Sequence, residues 1–76
     1  MKRIKLKLYR VLREIGFQRF EIHQLAESNH RINLQDYEEA YYLNLLEDSF
    51  QLHISEEDIQ QLKTINSTVT YLNKRL

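Results

Sequence analysis

Residues 35–72 read QDYEEAYYLNLLEDSFQLHISEEDIQQLKTINSTVTYL, and the reading of this stretch decides the fold. Asp36 stands three residues before Glu39 in the form of a capping box, which predicts a helix from about Asp36 to Ser49 with the Asp36 carboxylate accepting a first-turn amide. Glu38 and Glu39 fall at the positive end of that helix dipole, where carboxylates are favoured. Leu43, Leu46 and Phe50 form its expected inward row, flanked by Tyr42 and Leu45. Leu52 and Ile54 lead through a short link to Ser55, the expected cap of a short helix. Its first turn is Glu56, Glu57 and Asp58, and its core residues are Ile59 and Leu62. Thr64 or Asn66 opens a last helix, in which Ile65, Val69, Leu72 and Leu76 recur at helical spacing and Lys74 and Arg75 complement the negative end.

Upstream, Ile4, Leu8, Val11, Leu12 and Ile15 make one apolar stripe over residues 3–15, the mark of a first helix. Gly16 is its natural stop, because glycine adopts the left-handed conformation that ends helices. The opposite face carries Lys5, Lys7, Arg10, Arg13 and Glu14. A solvated face on a core helix is the ordinary meaning of such a pattern, and contact with nucleic acid or an anionic membrane is the sharper one. Between Phe17 and Leu34 the apolar residues Phe17, Phe20, Ile22, Leu25, Ile32 and Leu34 keep no sustained period. This segment reads as a long ordered loop, with at most a short helix around Glu21 to Ala26.

Length and composition agree with an all-α single domain. The chain has 76 residues with one glycine and no proline or cysteine, so a turn-rich β fold, a disulfide framework and a thiolate zinc site are excluded. The formal net charge of zero hides an asymmetry. Residues 2–19 hold seven basic side chains (Lys2, Arg3, Lys5, Lys7, Arg10, Arg13, Arg19) and the single acid Glu14, whereas residues 36–58 hold eight acids and no lysine or arginine. Lys5, Lys7 and Arg10 interrupt any signal-peptide core, and no window approaches the roughly 20 apolar residues of a membrane span, so a cytoplasmic protein is expected.

The skeleton of residues 35–72, an acidic helix ending in Leu46, Glu47, Asp48 and Phe50, then Ile54, Ser55-Glu56-Glu57-Asp58, Thr64-Ile65, Val69, Tyr71 and Leu72, resembles the acyl carrier proteins and related phosphopantetheine-attachment domains. In that family the acidic helix begins at the serine of an Asp-Ser-Leu motif, whose hydroxyl carries the prosthetic arm. Aligned through Leu46 and Phe50, the motif falls on Gln35, Asp36 and Tyr37, so the serine is replaced by Asp36. Gly16 stands twenty residues before Asp36, where the family has the glycine that ends its first helix. The resemblance implies a four-helix bundle with a long loop between helices one and two and a short third helix. It also implies an acidic second helix that docks on basic patches of acyl-transfer or condensing enzymes of fatty acid or polyketide synthesis, with Tyr37, Ala40, Tyr41 and Asn44 pointing outward.

The candidate partner-binding residues are therefore Asp36, Tyr37, Glu38, Glu39, Tyr41, Asn44, Glu47 and Asp48, in a protein expected to be monomeric and without a cofactor. Asp36 has a structural reading as an N-cap and a functional one as a charge standing where the phosphate of a loaded carrier would begin. An aspartate cannot replace serine as the attachment point, since its phosphate adduct is a labile mixed anhydride, and Ser28, Ser49, Ser55 and Ser67 lie elsewhere in the pattern. His23, His30 and His53 form no helical ligand pair, the adjacent acids Glu38-Glu39 and Glu56-Glu57 diverge around their helices, and no nucleophile-base pair or phosphate loop is present. An enzyme is not expected. Two other readings are a divergent functional carrier and a small nucleic-acid-binding protein acting through the basic first helix. Balanced charge and the acidic middle oppose the latter.

Overall fold

The computed structural model describes residues 3–76; Lys2 of the basic segment lies outside them. The described chain is all helical. In order it comprises α1 (Ile4–Ile15), α2 (Arg19–Ser28), α3 (Asp36–Phe50), a 3-10 helix η1 (Glu56–Leu62) and α4 (Ile65–Arg75).

The apolar stripe of α1 buries Ile4, Leu8, Val11 and Leu12, and Ile15 is half-buried at its end. Gly16 stops the helix at φ +128°, with its amide on the Arg13 carbonyl at 3.1 Å and the Phe17 amide on the Leu12 carbonyl at 3.1 Å. That pair of bonds is a Schellman closure, which satisfies two of the orphan carbonyls of the last turn. α1 packs against α3 and runs antiparallel to it. Lys7 reaches the Ser49 carbonyl at one end (3.5 Å), while the Tyr41 hydroxyl faces Glu14 at the other (3.4 Å). The core is one cluster in which Leu8, Leu12, Leu46, Ile65 and Leu72 are fully enclosed.

The segment expected to be a loop contains a full helix, a correction to the sequence reading. Within α2 only Ile22 is buried, and Leu25 and Ala26 are half-buried against the core, so the inward stripe is one residue wide at i, i+3 and i+4. Phe20 is 66% exposed. The helix is started by its own chemistry, since Glu21 folds back to accept the Gln18 amide at 2.8 Å. After Asn29, in the left-handed region, residues 30–35 are pinned by Ile32. Its side chain is buried, and its amide bonds the Lys63 carbonyl at 2.7 Å.

α4 is capped by Thr64, not Asn66. Thr64 and Ser67 exchange reciprocal bonds from backbone to side chain (3.2 and 3.0 Å), whereas the Asn66 amide reaches the Ala26 carbonyl at 3.5 Å. Its inward face is Ile65, Thr68, Tyr71 and Leu72; Val69 is half-buried and Leu76 lies exposed beyond the helix. Thr68 is tolerated inside because its hydroxyl bonds the Thr64 carbonyl at 2.6 Å. Tyr71 donates to Asp58 at 2.8 Å, and Arg75 donates to Tyr71 (2.6 Å), to Asp58 (3.3 Å) and to the His53 carbonyl (3.0 Å). This cluster ties η1 and the preceding link to the end of α4. Burial pushes the Tyr71 hydroxyl above its ordinary pKa, its bond to Asp58 adds to the rise, and the Arg75 charge opposes it.

The inward row of α3 also differs from expectation. Tyr42, Leu46 and Phe50 are buried, while Leu43 and Leu45 are half-buried beside them. Tyr42 is only 2% exposed, and its hydroxyl has no hydrogen-bond partner among the described residues. Thr68 is its polar neighbour, but the Thr68 proton is committed to the Thr64 carbonyl. Burial pushes Tyr42 up to about 12, and Thr68 acts weakly the other way.

Two predictions follow from these positions. A Cβ at Gly16 would meet nothing within 4 Å, so Gly16→Ala bears backbone strain alone; chemical denaturation should show a loss of about 1–2 kcal/mol. For Tyr42, the folded state keeps its proton above pH 10 while the unfolded chain releases it. The Tyr42 contribution to stability is therefore constant below about pH 10 and falls as pH rises toward 12, by up to about 1.4 kcal/mol per pH unit. Tyr42→Phe removes an unsatisfied hydroxyl, so at pH 7 its melting temperature should equal or exceed that of the wild type, and its alkaline decline should be shallower.

Candidate functional site

The eight candidate residues all lie on α3, and the helix sorts them by direction. Tyr37, Tyr41, Asn44 and Asp48, at i, i+4, i+7 and i+11, form a stripe opposite the buried row of Tyr42, Leu46 and Phe50. Tyr37 is 71% exposed and Tyr41 47%; Ala40, Asn44 and Asp48 are also exposed. Asp36 extends this surface at the first turn.

The other acids of the set are committed within the fold. Glu38 accepts the Gln35 amide at 3.0 Å, so the capping box is Gln35 with Glu38, one residue earlier than Asp36 with Glu39. Asp36 is therefore not the N-cap. It is the first helical residue, and its carboxylate makes no bond among the described residues. Glu39 pairs with Lys63 at 3.6 Å, joining α3 to the approach of α4. Glu47 accepts the Ile54 amide at 2.7 Å and lies 3.2 Å from His53, closing the link that follows α3. That link begins at Gln51, in the left-handed region, with the Leu52 amide returning to the Glu47 carbonyl at 3.3 Å.

What remains outward is a strip of two tyrosines, one asparagine and two carboxylates. Such a surface offers aromatic area and acceptors to a partner, and both tyrosines are the residue type enriched at interfaces. Lys7 of α1 is engaged at the C-terminal end of α3, over the Phe50 ring at 5.7 Å and on the Ser49 carbonyl. There it also complements the negative end of the helix.

Beneath the strip, between α3, η1 and residues 32–34, lies a cavity of about 20 Å³ lined by Ile32, Leu34, Tyr42, Leu43, Ile59 and Leu62, with Glu39 and Lys63 at its edge. That is room for about one water molecule. Among the described residues no three of histidine, cysteine, aspartate and glutamate are grouped to hold a metal ion, and no helix is long and apolar enough to cross a membrane. The sequence reading did not assign the Asp58, Tyr71 and Arg75 cluster or the Gln35 cap. The signal for the latter was present, because Gln18-Arg-Phe-Glu21 and Gln35-Asp-Tyr-Glu38 share one spacing.

Comparison with protein-family models, with curated proteins and with solved structures finds no match to this chain.

The division of labour on α3 has a measurable consequence. Glu38→Ala should lower stability by about 0.5–1 kcal/mol through loss of the helix start, whereas Asp36→Asn should cost only a few tenths through the helix dipole. Thermal unfolding of the two variants at neutral pH compares them directly.

Proposed function

We propose that this chain is an acyl-carrier-protein-like docking module that holds no prosthetic arm and works through the outward strip of α3. The observation that carries the reading is the exposure of Tyr37, Tyr41, Asn44 and Asp48 on one side of a long helix, with Asp36 also exposed at its first turn, that follows a helix ended by Gly16 and precedes a short helix and α4. This order of elements is the one the family resemblance leads one to expect, with α2 added in the connecting segment.

The arm itself does not fit these residues. Its phosphodiester requires an alcohol oxygen, and the corresponding position offers a carboxylate whose phosphate ester equivalent hydrolyses readily. With the capping role held by Gln35 and Glu38, the Asp36 charge is free to act on a partner. It stands at the head of the strip, where a loaded carrier would present its phosphate. The partners are enzymes with basic docking surfaces, of the acyl-transfer or condensing type. Electrostatic complementarity at such contacts sets encounter rate and choice of partner more than affinity.

The test has two parts. Incubation with coenzyme A and a promiscuous phosphopantetheinyl transferase, followed by intact mass, should give no gain; a gain of the arm's mass would mean a working, divergent carrier. Titration against a condensing enzyme that recognises carrier helices should show binding that weakens about tenfold, or about 1.4 kcal/mol, in the variants Tyr37→Ala and Asp48→Lys. Equal binding by Asp36→Asn and wild type would remove the phosphate-mimicry role of Asp36 while leaving the rest of the strip in place.

A further inference from the structure

A second surface, on the other side of α1, is left unused by the docking strip. The outward face of α1 and the start of α2 enclose an open groove of about 720 Å³, lined by Leu6, Tyr9, Arg10, Arg13, Glu14, Arg19, Ile22 and His23. Its floor is apolar. Leu6 is 45% exposed, and Tyr9 is half-buried with its ring edge-on to His23 at 6.1 Å between centroids. Its rim is cationic, and among the described residues Arg10, Arg13 and Arg19 make no ion pair or side-chain hydrogen bond. The one acid there, Glu14, is turned toward Tyr41 of α3. Three guanidinium groups without carboxylates, around an apolar and aromatic floor, form a surface that takes planar acceptors and aromatic faces together.

A surface of the complementary kind stands on the same molecule. The start of α3 presents Asp36 and Tyr37, followed one turn on by Tyr41, with Asp48 further along. Arg10 and Arg13 lie about 4.5 Å apart along their helix axis, and Tyr37 and Tyr41 about 6 Å along theirs, so one turn of each helix can meet one turn of the other. Within one copy the two surfaces adjoin, the Tyr41 hydroxyl donating to Glu14 at the groove's edge, while Asp36 and Tyr37 bond no groove residue among the described residues. Two copies can join them, head to tail, and the formal net charge of zero leaves no overall repulsion to keep them apart.

We propose that the α1–α2 groove is a docking site for the α3 strip of a second copy of this chain. In that contact Arg10 and Arg13 pair with Asp36 and stack on Tyr37, while Leu6 and Tyr9 cover the tyrosine rings. The interface is heterologous, so a pair leaves a free strip on one copy and a free groove on the other, and association proceeds to short open chains or a ring. The proposal draws on the strip described above but needs none of its enzyme partners. Self-association occupies the strip, and therefore competes with any basic partner for it.

The experiment is sedimentation equilibrium of the purified chain over a wide protein concentration range, at about 0.01 M salt, where charges act over about 30 Å, and at about 1 M, where they act over about 3 Å. At low salt the mean mass should rise with concentration, and at high salt the association constant should fall at least about tenfold. Two charge-reversed variants, Arg10→Glu/Arg13→Glu and Asp36→Lys/Asp48→Lys, should each be monomeric with unchanged helical circular dichroism. Mixed in equal amounts they should associate again, because each then meets its opposite. A monomer at every concentration in low salt, or association that survives either reversal alone, would overturn the proposal. So would a failure of the mixture to associate. If the chain stays monomeric and the groove resonances shift only on adding a single-stranded oligonucleotide, the groove belongs to a polyanion and this assignment is wrong. Loss of self-association with retained binding of a condensing enzyme would leave the proposed docking function standing.

Discussion

The packing of α1 on α3 is the constraint on which the other elements depend. Two amphipathic helices laid antiparallel bury Leu8, Val11 and Leu12 with Leu46 and Phe50, and the ends of the pair are registered by Lys7 at Ser49 and Phe50 and by Tyr41 at Glu14. In a chain too small for a second core, this seam supplies much of the apolar burial that offsets chain entropy. Once it forms, α4 closes it with Ile65, Tyr71 and Leu72, and α2 covers one edge through Ile22. The outward direction of Tyr37 and Tyr41 on one side, and of Arg10 and Arg13 on the other, follows from that single contact, because burying one face of each helix fixes what the opposite face must show.

Much of the acidic run proves to be scaffolding. Glu38 starts α3, Glu39 meets Lys63, Glu47 holds the Ile54 amide, and Asp58 receives Tyr71 and Arg75. Half of the eight acids between 36 and 58 are therefore satisfied by the chain itself. Among the described residues the carboxylates of α3 without partners are Asp48, on the exposed stripe of the tyrosines, and Asp36, exposed at the first turn beside it. A count of charges along the sequence overstates the field such a helix projects; the side chains without partners define it.

Where the sequence was legible, the signal was long and periodic. The stripe of α1 and its stop at Gly16 could each be read from residue type and spacing, as could the existence of α3 and η1, whereas the cap of α4 was left open between Thr64 and Asn66. α2 was not legible because its inward stripe is narrow, with one fully buried residue, and because the flanking Phe17, Ile32 and Leu34 blur the period over a longer window. α3 begins at Asp36 as expected, but its cap was misplaced by one residue for a chemical reason. Aspartate is the stronger cap in isolation, yet Gln35 lies three residues before Glu38 and the reciprocal bond outweighs the preference. The inward row was rotated for a similar reason: leucine at 43 outranks tyrosine at 42 on hydrophobicity, but the helix places Tyr42 over the core. The outward direction of Tyr37 and Tyr41 came from resemblance, since exposed and half-buried tyrosines look alike in a sequence.

The enclosed phenol of Tyr42 has a dynamic side. It sits near Thr68 of α4 with its ring against the small cavity beside η1, and it goes without the partner that water would supply. An excursion that parts α3 from η1 hydrates it, recovering about 1–3 kcal/mol of the desolvation penalty. Opening beside Tyr42 is therefore cheaper by that amount than it would be beside a phenylalanine at the same position.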